Sequence, residues 1–395
     1  MALTTGFTLV DPVLGVQDFG DRFTTKDYLI DIYPSLLPSY KSPGLWAWGQ
    51  NTYGQLGNGN IANYSSPVQV GSLTNWKQVA CGYNHTTAIK TDGTLWACGY
   101  NGYGQLGTGS IITYYSSPIQ VGSLTNWKQV SNGSNHTTAI KTDGSLWTWG
   151  LNNYGQLGNG TRTSYSSPIQ VGSLTNWKQV SSGYYHTAAI KTDGTLWAWG
   201  QNAYGQLGNG SITYYSSPIQ VGSLTNWKQV AGGNGCTAAI KTDGTLWTCG
   251  YNNNGILGNG NSTNYSSPIQ VGSLTNWKQV SGGQTHTIAI KTDGTLWTWG
   301  NNVFGQLGNS ISWCSSPIQV GTLTNWKQVA CGYYHTASIK TDGSLWTWGL
   351  NSSGQLGKGS NITNYSSPIQ VGTLTNWKQV SNGSNHTTAI SDGYF

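Results

Sequence analysis

Glutamate is absent from this 395-residue chain, charged residues make up only 8% of it, and there is a single methionine. Few long helices can be built from such a composition. Twelve Asp are the whole supply of carboxylate side chains. Among them no pair of unlike environment can be assigned, as acid–base hydrolysis would need. Nucleophile constellations, phosphate loops and metal-ligand spacings are also missing, so the sequence points away from catalysis and calls for no cofactor. No stretch approaches the roughly 20 apolar residues of a membrane span. The start, Met1–Gly6, lacks a basic segment followed by an apolar core, so synthesis in the cytosol without membrane insertion is expected.

Only six cysteines occur, and they form no framework. Cys98 and Cys249 stand where other copies of a repeat have Trp, Cys236 where they have His, and Cys314 where they have Tyr. Cys81 and Cys331 share a loop position otherwise filled by Ser, Asn or Gly. This reads as drift in a chain folded under reducing conditions, not as disulfide or zinc-site spacing. Charge is unevenly placed: residues 1–44 carry a net −2 and the remainder +8. That balance favours an acidic partner, yet Asp residues are interleaved with the lysines and no basic run appears, which argues against nucleic acid.

What is abundant is glycine, at 56 residues, and tryptophan, at 20. From Leu45 onward one unit recurs seven times, marked by Trp46, Trp96, Trp147, Trp197, Trp247, Trp297 and Trp346 at spacings of 49 to 51 residues. A period near fifty, with short alternating apolar runs between Gly and Asn clusters, is that of a propeller blade and not of a helical solenoid. In the second copy His85–Lys90 reads as a strand and Asp92-Gly93 as a type I′ hairpin turn. Leu95–Gly99 is the returning strand and Gly104–Gly107 a sharp bend. A Pro-containing strand follows at Ser117–Val121, and Trp127–Val130 is the fourth strand of the unit.

One blade cannot bury both its faces, so neighbours must stack, and the two tryptophans of the Leu-Trp-x-Trp strand point the same way. Burying each contributes roughly 4–6 kcal/mol before entropy is subtracted. The first unit begins at Leu45–Gly49 without a His-Thr strand, whereas the chain stops after His386–Ile390. Each end supplies what the other lacks. The expected fold is therefore all-β: a seven-bladed β-propeller of four-stranded antiparallel blades over residues 45–395, its ring closed by pairing of N- and C-terminal strands. Residues 1–44 form a separate leading segment.

The pattern Gly183, His186, Ala189, Ile190, then Asp193-Gly194, Trp197, Trp199-Gly200, Asn202 and Gly205–Gly208 resembles the regulator of chromosome condensation repeat. The resemblance covers about residues 45–395 and implies a seven-bladed propeller closed across the termini. The family's founding activity is guanine-nucleotide exchange on a small nuclear GTPase, together with chromatin binding. It relies on blade-specific acidic loops and a hairpin insertion, and neither is present in these uniform units. Val16–Pro34 resembles the leading segments of structural proteins from tailed bacteriophages, especially those infecting cyanobacteria.

Three sets of residues are candidates for function. All six histidines, His85, His136, His186, His286, His335 and His386, occupy one repeat position, with Cys236 in the seventh place. Stacked sheets lie roughly 10 Å apart and zinc–nitrogen bonds are about 2.0–2.1 Å, so no metal site is expected. An imidazole bonded to a neighbouring loop carbonyl is the expected role. Seven Trp-Lys pairs recur: Trp76-Lys77, Trp127-Lys128, Trp177-Lys178, Trp227-Lys228, Trp277-Lys278, Trp326-Lys327 and Trp377-Lys378. They form either a rim suited to sugars and acidic chains, or plugs between blades with solvated lysines, the latter being favoured. Variation concentrates in one loop per unit, ending at Tyr64, Tyr115, Tyr165, Tyr215, Tyr265, Cys314 and Tyr365, and such loops on a rigid scaffold are where partners are contacted.

The expected function is that of a non-enzymatic structural or protein-interaction propeller, a phage virion component docked to other structural proteins through residues 1–44. Phe19, Tyr28, Ile30, Tyr33, Leu36 and Leu37 are the docking side chains, because this apolar and aromatic run has no counterpart in the repeat. The alternative is an adhesin binding host-surface glycan, and a less favoured one an exchange factor.

Overall fold

The computed structural model describes residues 9–11, 15–17, 44–360 and 363–392. The chain divides into two compact units, Met1–Ser42 with Gly393–Phe395, and Pro43–Asp392. In the first, Leu9–Asp11 pairs antiparallel with Gly15–Gln17. The proposed docking residues Phe19 to Leu37 lie outside the described residues.

The second unit consists of seven four-stranded antiparallel sheets. In one blade the order from the axis outward is Trp76–Cys81, His85–Lys90, Leu95–Tyr100 and Tyr114–Gln120. The sequence unit is thus out of phase with the blade by one strand: Trp127–Asn132, read above as the fourth strand of its unit, is the innermost strand of the next blade, beside His136–Lys141. The closing blade takes two strands from each end of the chain, in the order Trp377–Asn382, His386–Ser391, Gly44–Gly49, Tyr64–Gln69. Its register runs from Leu45 opposite Ile390 to Gly49 opposite His386. Termini that zip together in this way leave the ring without a free edge.

The second strands, such as His85–Lys90, are buried throughout. Their Thr and Ala side chains are small enough to let neighbouring sheets approach closely. The innermost strands alternate, with Trp76 and Val79 buried and Lys77 exposed. Their axis-facing backbone groups would be unpaired, but in six of the seven blades the Gln that follows the Lys bridges them to the next blade. Gln78 Nε2 donates to Val130 O at 3.1 Å, and its Oε1 accepts from Val130 N at 3.1 Å. Gln379 makes the same pair of bonds to Val79, so the belt crosses the junction of the termini. A hydrogen-bonded edge is the requirement that explains this glutamine.

The tryptophans of the repeat meet in threes in five blades, and in pairs where Cys98 or Cys249 replaces the third. Trp127 lies edge-on to Trp147 at 6.2 Å and to Trp149 at 5.9 Å. Trp149 is fully buried, and its indole donates to Gln105 O of the preceding blade. The Gly-Gln-Leu-Gly bend is what brings that carbonyl there. Gly107 has φ +75°, and a Cβ on it would stand 2.7 Å from the Trp149 Nε1. The Asp-Gly turn differs from the type I′ expectation. Gly93 has φ +80° while Asp92 keeps a negative φ, and Gly93 N bonds Lys90 O as Lys90 N bonds Thr94 O. This is a three-residue loop with a left-handed glycine. Asp92 is held in it by Oδ1, which accepts from Thr94 N and the Thr94 hydroxyl at 2.9 and 2.7 Å.

Candidate functional site

The two ends of the blades differ chemically. At one end lie the Thr-Asp-Gly turns, the connections between blades, and the described lysines, the ammonium of Lys358 among them through its bond to Gln370 O. At the other lie the turns after the innermost strands and the loops after the third strands, where Arg162 is the one charged side chain among the described residues. This second end, the loop face, surrounds the mouth of the central channel. The mouth is lined by the three-residue segments Cys81–Tyr83, Ser182–Tyr184 and Cys331–Tyr333 and their counterparts in the other four blades.

Aromatic side chains fill this face. Tyr83 meets Tyr184 at 5.9 Å and Tyr333 at 5.9 Å, although each partner comes from a blade once removed. From Tyr184 contacts continue to Tyr185 at 4.5 Å, Tyr154 at 5.0 Å and Tyr214 at 5.8 Å. From Tyr333 they continue to Tyr334 at 4.5 Å and Phe304 at 4.9 Å. Eight rings thus form one unbroken track across the channel mouth. The ring of Tyr83 and those of Tyr184, Tyr185, Tyr333 and Tyr334 are half-buried, and burial pushes the Tyr185 hydroxyl up to about 12. Apolar side chains stand exposed in the adjoining loops, among them Ile111 and Ile212, and Trp313 does so at the start of an outer strand. The track escaped the sequence reading, which placed variation in a single loop per unit. The signal was the residue pair before each His and before Cys236, Tyr83-Asn84, Ser134-Asn135, Tyr184-Tyr185, Asn234-Gly235, Gln284-Thr285, Tyr333-Tyr334 and Ser384-Asn385, which varies just as freely.

Of the residues singled out from sequence, Tyr64, Tyr115, Tyr165, Tyr215, Tyr265 and Tyr365 are half-buried at the start of the outer strands. Tyr64, Tyr115, Tyr215 and Tyr265 pack on core clusters. The Tyr64 and Tyr265 hydroxyls accept hydrogen bonds from Asn60 and Asn261 of their own loops. The Trp-Lys pairs divide: Trp76, Trp127, Trp177, Trp227, Trp277, Trp326 and Trp377 are 2–6% exposed, so no stacking rim exists, and Lys77, Lys128, Lys178, Lys228, Lys278, Lys327 and Lys378 are exposed. Neighbours in a strand point to opposite sides, so these two residue types cannot share a surface. The lysine that does meet those tryptophans ends the second strand. Lys90 Nζ lies 3.7 Å over Trp96 and 5.1 Å from Trp76, and the arrangement recurs at Lys141, Lys191, Lys241, Lys291 and Lys340.

The six histidines are fully buried and bond a threonine hydroxyl of the next blade, not the expected loop carbonyl. His85 Nε2 to Thr137 Oγ1 is 3.1 Å, and His386 to Thr86 carries the series across the closure. Each threonine hydroxyl donates to a glutamine carbonyl, as Thr86 does to Gln55 O at 2.7 Å. The imidazole must therefore donate through Nε2–H and is neutral, and burial pushes five of the six down to about 3 and His186 to about 4. All six cysteines are free thiols, and burial raises Cys236 to about 12. Among the described residues no cluster suited to a metal ion occurs, and no helix is long and apolar enough to cross a membrane.

The RCC1-like domain model matches residues 40–272, and the regulator of chromosome condensation (RCC1) repeat matches residues 293–339 and 342–390. Over 130 residues the chain is 35% identical to ultraviolet-B receptor UVR8 of Arabidopsis thaliana, covering 32% of this chain and 30% of the receptor. Over 120 residues it is 30% identical to the protein RCC2 homolog of Xenopus laevis, covering 29% and 23%. The matched stretches thus span less than a third of either relative. Among solved structures, Prp20p of Saccharomyces cerevisiae superposes with a TM-score of 0.81 at 19% identity, over 90% of this chain and 93% of that one. Human WBSCR16 does so with 0.79 at 22% identity, over 90% and 100%. These likenesses show the fold. Because the RCC1-like model spans more than half of its length, the chain belongs to the regulator of chromosome condensation repeat family.

Proposed function

We propose that this chain is a non-catalytic recognition propeller that holds an extended, weakly charged partner, a host-surface glycan, along the loop face. We further propose that residues 1–44 attach it to a larger assembly, a phage virion. The observation that carries the first part is the eight-ring track from Tyr214 to Phe304. Tyrosine offers an apolar face and a polar tip at low entropy cost, which suits the mixed C–H and hydroxyl surface of a sugar. One cationic side chain, Arg162, and no acidic one among the described residues of this face suit a ligand of little charge. The loops that follow the third strands contain no Asp at all, which weighs against the exchange-factor reading.

Binding of the purified protein to a panel of host-envelope polysaccharides tests the first part, with saturable binding to a neutral member expected. A blank panel would overturn it. For the second part, a chain starting at residue 45 should fold yet fail to co-purify with particles. Normal assembly of that truncated ring would remove the attachment role.

A further inference from the structure

The lysine that closes six of the seven second strands has a buried stem, and its ammonium meets no hydrogen-bond acceptor of the protein. Lys191 is 5% exposed, and its Nζ rests 3.6 Å from the Trp197 ring and 4.9 Å from the Trp177 ring. An indole face attracts the cation but takes none of its three N–H donors. It lines a cleft of about 380 Å³ between adjacent blades, together with Asn159, Gln170, Leu174, Ser217 and Pro218. That size lies within the range of small-ligand sites, roughly 300–1,000 Å³. Trp177 lines the same cleft, is 3% exposed, and its Nε1–H has no partner in the protein. The same donor is unpaired on Trp76, Trp127, Trp227, Trp277 and Trp326, beside the other five sandwiched lysines, and on Trp377, whose blade has Ser391 in place of the lysine.

The sandwiched ammonium therefore opens on a cleft in which no protein group accepts from it, whereas the indole N–H beside it is sealed off from any ligand. A cation held against aromatic faces with its N–H donors free is suited to an anion. We propose that this cleft and its counterparts at the other five lysines bind carboxylates of an acidic polysaccharide, the oxygens accepting from the ammonium, while Asn159, Gln170 and Ser217 meet neighbouring hydroxyls. A polymer with spaced charges fits better than nucleic acid, because Asp193 and its counterparts sit two residues from each lysine and repel a dense row of phosphates. Burial lowers the lysine's affinity for its proton and that Asp raises it. The site is distinct from the aromatic track and stands or falls without it.

The chain contains its own control. In the closing blade Ser391 replaces the lysine, with Trp46 Nε1 donating to its hydroxyl at 2.9 Å, so a blade folds with serine there. The test is calorimetric titration with polygalacturonate at 0.15 M salt, comparing the wild type with K90S, K141S, K191S, K241S, K291S and K340S combined. A second variant changes the exposed Lys77, Lys128, Lys178, Lys228, Lys278, Lys327 and Lys378 to Gln. Loss of a charge-assisted bond at each site weakens binding by about tenfold or more in the first variant. The second should retain most of its affinity. A residue-resolved readout is amine acetylation, from which the ligand should protect the sandwiched lysines and not the exposed ones. Absence of binding by the wild type, equal loss in both variants, or preference for DNA over polygalacturonate would each overturn the proposal. Unchanged binding in a variant lacking the aromatic track would show that the two surfaces are separate.

Discussion

Acid should unfold this ring well above the pH at which its carboxylates titrate. The six buried histidines donate through Nε2 to Thr137, Thr187, Thr237, Thr336, Thr387 and Thr86, and a protonated imidazole would bring an unpaired charge into the dry inter-blade space. Their affinity for a proton in the fold is depressed from 6.5 to about 3, or about 4 at His186. A depressed value means that the unfolded chain binds more protons below pH 6.5. Stability is then fully present above that pH and is lost as pH falls toward 3. At pH 5 each histidine costs roughly 2 kcal/mol, and six acting together roughly 12 kcal/mol, comparable with the whole stability of a domain, ~5–15 kcal/mol. Thermal melts followed by circular dichroism at pH 7.5, 6.5, 5.5 and 5.0 should show a melting temperature that is flat at first and then falls steeply. A His186→Cys variant copies the Cys236 blade, whose thiol does not charge in acid, and should melt with a shallower pH slope. An unchanged melting temperature from pH 7.5 to 5.0 would refute the argument.

Other substitutions read the packing directly. Trp199→Ala removes a fully buried indole and its bond to Gln156 O, and should cost roughly 3–5 kcal/mol in urea denaturation. Gly93→Ala places a Cβ 2.0 Å from Thr125 O at φ +80°, while Gly71→Ala has φ +62° and no atom within 4 Å. The second should cost about 1–2 kcal/mol of backbone strain and the first clearly more; equal losses would contradict the contact. Ending the chain after Ser384 removes the strand that pairs with Gly44–Gly49, and unfolding should become non-cooperative or shift to much lower denaturant.

The number of blades, the strand-rich architecture and the closure were legible because a repeat fixes spacing and because its two broken ends complement each other. The phase was not legible. Identical units run in a circle carry no mark of where one sheet stops, so Trp127–Asn132 could be assigned to its blade only from the pairing with His136–Lys141. The Trp-Lys pairs illustrate a second limit, since adjacency in sequence puts residues on opposite sides of a strand. Lys90, fourteen residues from Trp76, is its true cross-strand neighbour. The threonine partner of each histidine lies in the following blade, at a separation of 50 to 52 residues where neither blade crosses the closure. Nothing local announces it. The aromatic track is more distant still, because Tyr83, Tyr184 and Tyr333 meet only when the ring is closed. The docking side chains Phe19 to Leu37 lie outside the described residues.

The track is also where the functional account is most exposed. Tyr83→Ser, Tyr184→Ser and Tyr333→Ser combined place at those positions the residue that Ser134 and Ser384 supply in other blades, so the ring should keep its melting temperature within a few degrees. The affinity of this variant for the neutral polysaccharide bound by the wild type is the decisive quantity. A loss of about tenfold or more is expected, at roughly 1 kcal/mol for each aromatic contact removed. Full affinity in a folded variant would contradict the assignment of the loop face as the recognition surface.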